Sequence, residues 1–121
     1  MYNNSNAYNI YETNNVTTAS LKKLLIMLYD GVIRFCRLAE VAIREKNIEK
    51  KNEYLKRAQD ILAELAASLN FEAGETAERL AALYAFMTRE LVEANIRMDE
   101  EKVQEVRGFL EELREAWVAI S

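Results

Sequence analysis

The chain has no histidine and no proline, one cysteine and three glycines. Each scarcity excludes something. Without histidine, the commonest general base and the commonest metal ligand are both missing. Di-metal carboxylate bundles supply a Glu-x-x-His motif on two helices, so a ferritin-like oxidoreductase is a disfavoured reading that would require bound iron, which metal analysis of the purified protein should not find. One cysteine, Cys36, leaves no disulfide framework within the chain. The glycines, Gly31, Gly74 and Gly108, are scattered and form no phosphate-cradling loop. Without proline, long helices run uninterrupted. No apolar run approaches the length of a membrane span, so no stable membrane insertion is expected. The first nine residues are polar and lack the basic and apolar regions of a signal peptide. These features point to a cytoplasmic protein, with no metal and no cofactor.

What is present is apolar and acidic. Half of the 121 residues are hydrophobic and the net charge is −4. Acidic side chains concentrate from Glu72 onward, while the stretch from Lys22 to Lys46 is mildly basic. No basic stripe suits a phosphate backbone, so nucleic acid is not an expected partner. The length suits one domain with a single core.

A polar arm rich in Asn, Thr and Ser opens the chain, and its composition does not propagate a stable helix. It carries Tyr8, Ile10, Tyr11 and Val16, with room for one short turn over residues 6–12. The spacing of apolar residues then predicts four helices. The first covers about 20–46, capped by Thr18 or Ser20, with the stripe Leu21, Leu25, Leu28, Val32, Phe35, Ala39 and Ala42. Asn47 breaks and caps. The second covers about 48–69, with Leu55, Ala58, Leu62, Leu65 and Leu69. The third covers about 75–98, with Leu80, Tyr84, Met87, Leu91, Ala94 and Met98. Asp99 caps the fourth, about 100–120, with Val103, Val106, Leu110, Leu113, Trp117 and Ile120. Short connections make neighbours antiparallel. The expected fold is all-α: an antiparallel up-down-up-down four-helix bundle, residues 20–121, preceded by a helical or extended arm, residues 1–19. Trp117 is expected to plug the core or one end of the bundle.

The first helix differs from the other three. Leu24, Leu25, Ile26, Met27, Leu28 and Tyr29 are consecutive, and Val32 and Ile33 follow. At 100° per residue they surround the helix, whereas a peripheral bundle helix needs only part of its circumference for core. Two readings stand. Neighbouring helices and the arm bury the whole run, or its surplus face lines a groove for another chain. The readings combine if the arm covers the groove until a partner arrives. Ile26, Met27, Tyr29 and Ile33 are the candidate groove floor. Tyr8, Ile10, Tyr11 and Val16 are the candidate cover.

Catalytic sets are absent, so the chain is read as a non-enzyme. The acidic group Glu111, Glu112 and Glu115 reads as a solvated face beside Arg107 and Arg114. Cys36 reads as a small buried side chain, not a reactive thiol. Gly31, inside a helix, reads as a tolerated defect or as a point of close approach.

The order of local motifs resembles a known family. Asn6-Ala7-Tyr8-Asn9-Ile10-Tyr11 is followed by Asn14-Asn15-Val16-Thr17-Thr18-Ala19-Ser20 and by Leu24-Leu25-Ile26-Met27-Leu28-Tyr29-Asp30-Gly31. Lys56-Arg57-Ala58-Gln59-Asp60, Leu83-Tyr84-Ala85-Phe86-Met87 and a closing Ala116-Trp117 continue it over essentially the whole chain. This pattern resembles the flagellar secretion chaperones, the FliS family. Leu21 stands where the family usually has proline, which affects helix initiation only. The stretch 70–75 has one glycine where relatives often have two, which bears on the shape of that loop.

The resemblance implies a four-helix bundle with a short N-terminal element over its binding surface. It implies a chaperone that binds the C-terminal segment of flagellin, prevents early polymerisation and passes it to a component of the flagellar export gate. It also carries over Asn15 as an arm-positioning residue. The alternative is a non-catalytic helical adaptor or self-associating bundle. An apolar groove invites self-association, so a homodimer in the client-free state belongs to that alternative.

Overall fold

The computed structural model of the chain describes residues 18–70 and 74–120. Four helices follow in order: α1, Thr18–Arg44; α2, Ile48–Ala67; α3, Glu75–Arg97; and α4, Glu100–Ala119. The described residues contain no strand. α1 packs on α2 and α4, and α3 packs on the same two, so α1 and α3 stand diagonally opposed. Ion pairs join Asp30 to Arg114 and Arg44 to Glu100, so α1 and α4 run antiparallel. This is the expected all-α, up-down-up-down bundle.

Helix ends follow local chemistry. The Asn47 side chain accepts a hydrogen bond from the Lys50 backbone N–H, and Asp99 accepts from that of Lys102. Each satisfies one orphan donor of its helix. Thr18 and Ser20 both lie within α1, so neither is the cap ahead of it. The links after α1 and α3 share one device. Lys46 and Met98 adopt left-handed backbone with φ of 57° and 55°. The next amides, Asn47 and Asp99, bond back to the carbonyls of Ala42 and Ala94. This closes a Schellman-type end, where glycine is usual because it has no Cβ to clash. Lys46 is exposed, so Lys46→Gly should raise stability by about 1 kcal/mol, read as a higher urea midpoint at unchanged slope.

The core is built from the predicted stripes of α2, α3 and α4. Leu55, Ala58, Leu62 and Leu65 meet Tyr84, Met87, Leu91 and Ala94, and Val103, Val106 and Leu110 close the fourth side. α1 differs from its predicted stripe. Its fully buried centre is Tyr29, Val32, Cys36 and Ala39, while Leu25, Leu28 and Phe35 sit at the edge. Flanking helices on two sides widen its buried arc and rotate its centre towards α3. Trp117, near the end of α4, is half-buried and packs against the core. Lys51 is buried among these helices and donates from Nζ to the Asn95 carbonyl at 2.8 Å, in the last turn of α3. A cation there suits the negative end of the helix dipole.

Gly31 faces α2 closely. A Cβ there would meet the Ile61 Cδ1 at 3.2 Å, which supports the close-approach reading. Cys36 is fully buried, and burial first, then the Glu40 carboxylate, pushes its thiol up to about 12. The thiolate is the reactive species. Native protein at pH 8 should therefore leave Cys36 unmodified by a disulfide reagent over minutes, and full labelling should appear only in denaturant.

Candidate partner-binding site

The surplus apolar run of α1 is divided by the bundle into three directions. Tyr29 points into the core, fully buried. Its hydroxyl lies 2.6 Å from that of Tyr84 across the diagonal, and it also hydrogen-bonds Trp117. Indole has only a donor, so Trp117 donates to Tyr29. Burial pushes the Tyr29 hydroxyl up, against the opposing pull of these two bonds. Burial also raises Tyr84, reinforced by its bond to Tyr29.

Met27 points outward and is 59% exposed. Ile26 and Ile33, seven residues apart, share the edge of α1 that faces α4. Ile26 is half-buried and Ile33 nearly sealed. Ile33 forms part of a shallow open depression, completed by Asp30, Arg37, Glu111, Arg114 and Glu115. The structure thus brings Ile26 and Ile33 together at the α4-facing edge of α1, turns Met27 about a quarter-turn further out into solvent, and withdraws Tyr29 into the core. The candidate arm residues Tyr8, Ile10, Tyr11, Asn15 and Val16 lie outside the described residues.

A ladder of charges runs along this α1–α4 seam, with signs that alternate. Asp30 pairs with Arg114, and Arg37 with Glu111 at 2.5 Å. Glu40 pairs with Arg107, and Arg44 with Glu100 at 2.7 Å. The Glu40–Arg107 pair is the buried one. Arg107 donates from Nε to Glu40 Oε2 at 2.6 Å and from Nη2 to Oε1 at 3.1 Å. That fork pushes the Arg107 guanidinium well above its ordinary value, through the hydrogen bond to Glu40 first. The outer pairs are exposed and contribute little to stability, but their alternation disfavours a slipped register.

The ladder covers the seam from Asp30 to the C-terminal end of α1. Ahead of it α1 carries the half-buried Ile26 at its α4-facing edge and the outward Met27, and α4 ends with the exposed Val118. There the Lys22 ammonium donates to the carbonyls of Val118 and Ile120, capping the negative end of α4. An apolar strip bounded by ordered charges suits an amphipathic peptide segment better than a small polar molecule. No group of three metal-ligating side chains occurs among the described residues.

The seam corrects one sequence expectation. Glu111 does bond to Arg107 on its own helix, at 3.2 Å. Arg114, however, reaches across to Asp30 and leaves the acidic cluster of α4. Sequence reasoning did not single out Asp30, Arg37, Glu40 and Arg44 as seam residues. A signal existed: charges recur every seven residues at Asp30, Arg37 and Arg44, and at Glu100, Arg107 and Arg114. That is the period of an interhelical charged edge.

Comparison with known proteins adds a second line. A family model described as flagellar protein FliS matches residues 4–121. The flagellar secretion chaperone FliS of Bacillus subtilis is 42% identical over 112 residues, covering 93% of this chain and 84% of the relative. That of Campylobacter jejuni is 40% identical, covering 94% of this chain and 90% of the relative. That of Salmonella typhimurium is 37% identical, covering 88% and 80%.

Proposed function

The chain belongs to the FliS family of flagellar proteins, and on that premise we propose that it is a cytoplasmic export chaperone for flagellin. In this reading it binds the C-terminal segment of flagellin and blocks early polymerisation. It then delivers the client to a component of the flagellar export gate. The observation that carries the reading is the accessibility of Met27 and Ile26 on a helix that α2 and α4 already flank. Among the described residues no helix is long and apolar enough to cross a membrane, which accords with work in an aqueous compartment.

The mechanism follows from coupled folding. A flagellin tail without a partner lacks buried apolar surface, and it orders when its side chains find an apolar strip. Ile26, Met27 and Ile33 form the proposed floor, and Tyr29 holds that floor from below through its bond to Tyr84. Tyr8, Ile10, Tyr11 and Val16 form the proposed cover, positioned by Asn15. A client held on the floor has fewer apolar side chains available for subunit packing, so filament growth is suppressed by mass action.

A cover that competes with the client lowers apparent affinity by the fraction of time it is closed. Deleting residues 1–15 should therefore tighten binding of a flagellin C-terminal peptide several-fold in titration calorimetry, with helical circular dichroism of the bundle retained. Unchanged affinity would refute the cover. Absence of any binding by the full chain would refute flagellin as client and leave the adaptor reading.

A further inference from the structure

A second surface lies across α4 from the α1 strip, between α3 and α4. Phe86 and Phe109 meet there edge to face, with ring centroids 6.4 Å apart and planes at 67°. Aromatic pairs of this kind are ordinarily core features. Here the two rings remain 38% and 42% exposed. On α4 the apolar surface continues along the helix through the half-buried Leu113 to the exposed Ala116 and Ile120. Positions 109, 113, 116 and 120 advance by four, three and four residues, so they form one straight stripe. A straight apolar stripe beside an aromatic pair matches the footprint of a helix laid along it.

The charge around the stripe selects the occupant. Each cation of α4 is drawn elsewhere: Lys102 to Glu90, Arg107 to Glu40 and Arg114 to Asp30. The outer face of α4 keeps Glu101, Glu105 and Glu112, all exposed. Among the described residues none of these three has a cation as partner. Glu105 and Glu112 stand four residues before and three after Phe109, so they border the aromatic pair directly.

On the α3 side the exposed Arg89 stands three residues after Phe86, so the cation and the carboxylates lie on opposite flanks of the aromatic pair. A two-fold contact centred on α4 would set Glu105 and Glu112 against themselves, which disfavours a second copy there. An anionic lipid surface is repelled for the same reason. We propose that the α3–α4 face docks an amphipathic helix of a second protein, with its apolar stripe over Phe86 and Phe109 and its Lys or Arg side chains on Glu105 and Glu112. This site is separate from the α1 strip and does not depend on the identity of the client held there.

The test uses the full chain, labelled for backbone amide shifts, and two synthetic helical peptides. One has a leucine stripe flanked by lysines, and its twin has glutamates in their place. The lysine peptide should shift amides of residues 82–90 and 105–116 and lose affinity as salt rises. Phe86→Ala with Phe109→Ala should weaken it about tenfold or more, and Glu105→Gln with Glu112→Gln by a similar factor. All four side chains are exposed, and unchanged helical dichroism checks that the bundle is intact. The twin should not bind, and excess flagellin C-terminal peptide should not displace the lysine peptide. Shifts spread over the whole surface, variants that bind like the parent, or displacement by the flagellin peptide would each overturn the proposal. So would concentration-dependent dimerisation that moves the same amides.

Discussion

A chain carrying Ile26→Ala and Met27→Asp should bind the flagellin C-terminal segment about 100-fold more weakly than the parent, with its helix content unchanged. Burying an apolar side chain of this size contributes roughly 1.5–3 kcal/mol, and each 1.4 kcal/mol is about a factor of ten in affinity. Ile26 is half-buried in the client-free chain, so only part of its contribution is available to a client. Met27 is 59% exposed, so more than half of its contribution is available to a client and its loss costs the bundle little. Aspartate at that position also brings a charge that a client must desolvate. Titration calorimetry gives the affinity and circular dichroism gives the helix content. Parent-like affinity would move the client site away from the N-terminal half of α1.

The second large effect concerns the seam and not the client. Arg107→Ala strands the Glu40 carboxylate, whose side chain is only 5% exposed. Removing one partner of a buried ion pair typically costs about 3–5 kcal/mol, because the remaining charge is desolvated without compensation. The Arg107 side chain is itself 22% exposed, so water can enter the vacated space and the lower end of that range is expected. Urea denaturation should show a lower midpoint at unchanged slope. Adding Glu40→Leu to the same chain should recover most of the loss, since the liability is the orphaned charge. If the double variant stays as unstable as the single one, the guanidinium acts by packing and not by pairing. By contrast, Arg37→Ala breaks an exposed pair and should change stability by less than about 1 kcal/mol.

The architecture was legible from periodicity. Apolar residues spaced by three and four marked four helices whose ends lie within about two residues of those observed. Asn47 and Asp99 cap as their side chains require. Local chemistry suffices for these features because a helix and its caps are made by residues near one another in sequence. The centre of the α1 stripe was less legible. Tyr29 and Cys36 join the core because α2 and α4 flank the helix on both sides and α3 faces it, and no window of α1 contains that information.

The same limit applies to the candidate site. Six consecutive apolar residues showed that α1 had more apolar surface than one face could use, but not which of them would stay open. Tyr29 and Met27 are two residues apart and equally available to the eye. One is sealed by a hydroxyl partner on the opposed helix, and the other stands in solvent. The ladder behaved alike: Arg114 has glutamates nearby on α4, yet it reaches Asp30, 84 residues away.

By itself, the amino-acid sequence determined the number, order and approximate length of the helices, their caps, the absence of histidine chemistry and the likeness to a chaperone family. Tertiary structure alone decided which apolar side chains of α1 remain accessible, which charges meet across the seam, and that α4 keeps an acidic outer face beside two exposed aromatic rings. The physical reason is range. Helix formation is governed by contacts three and four residues apart, whereas burial and ion pairing are set by whichever distant segment the packed bundle brings alongside.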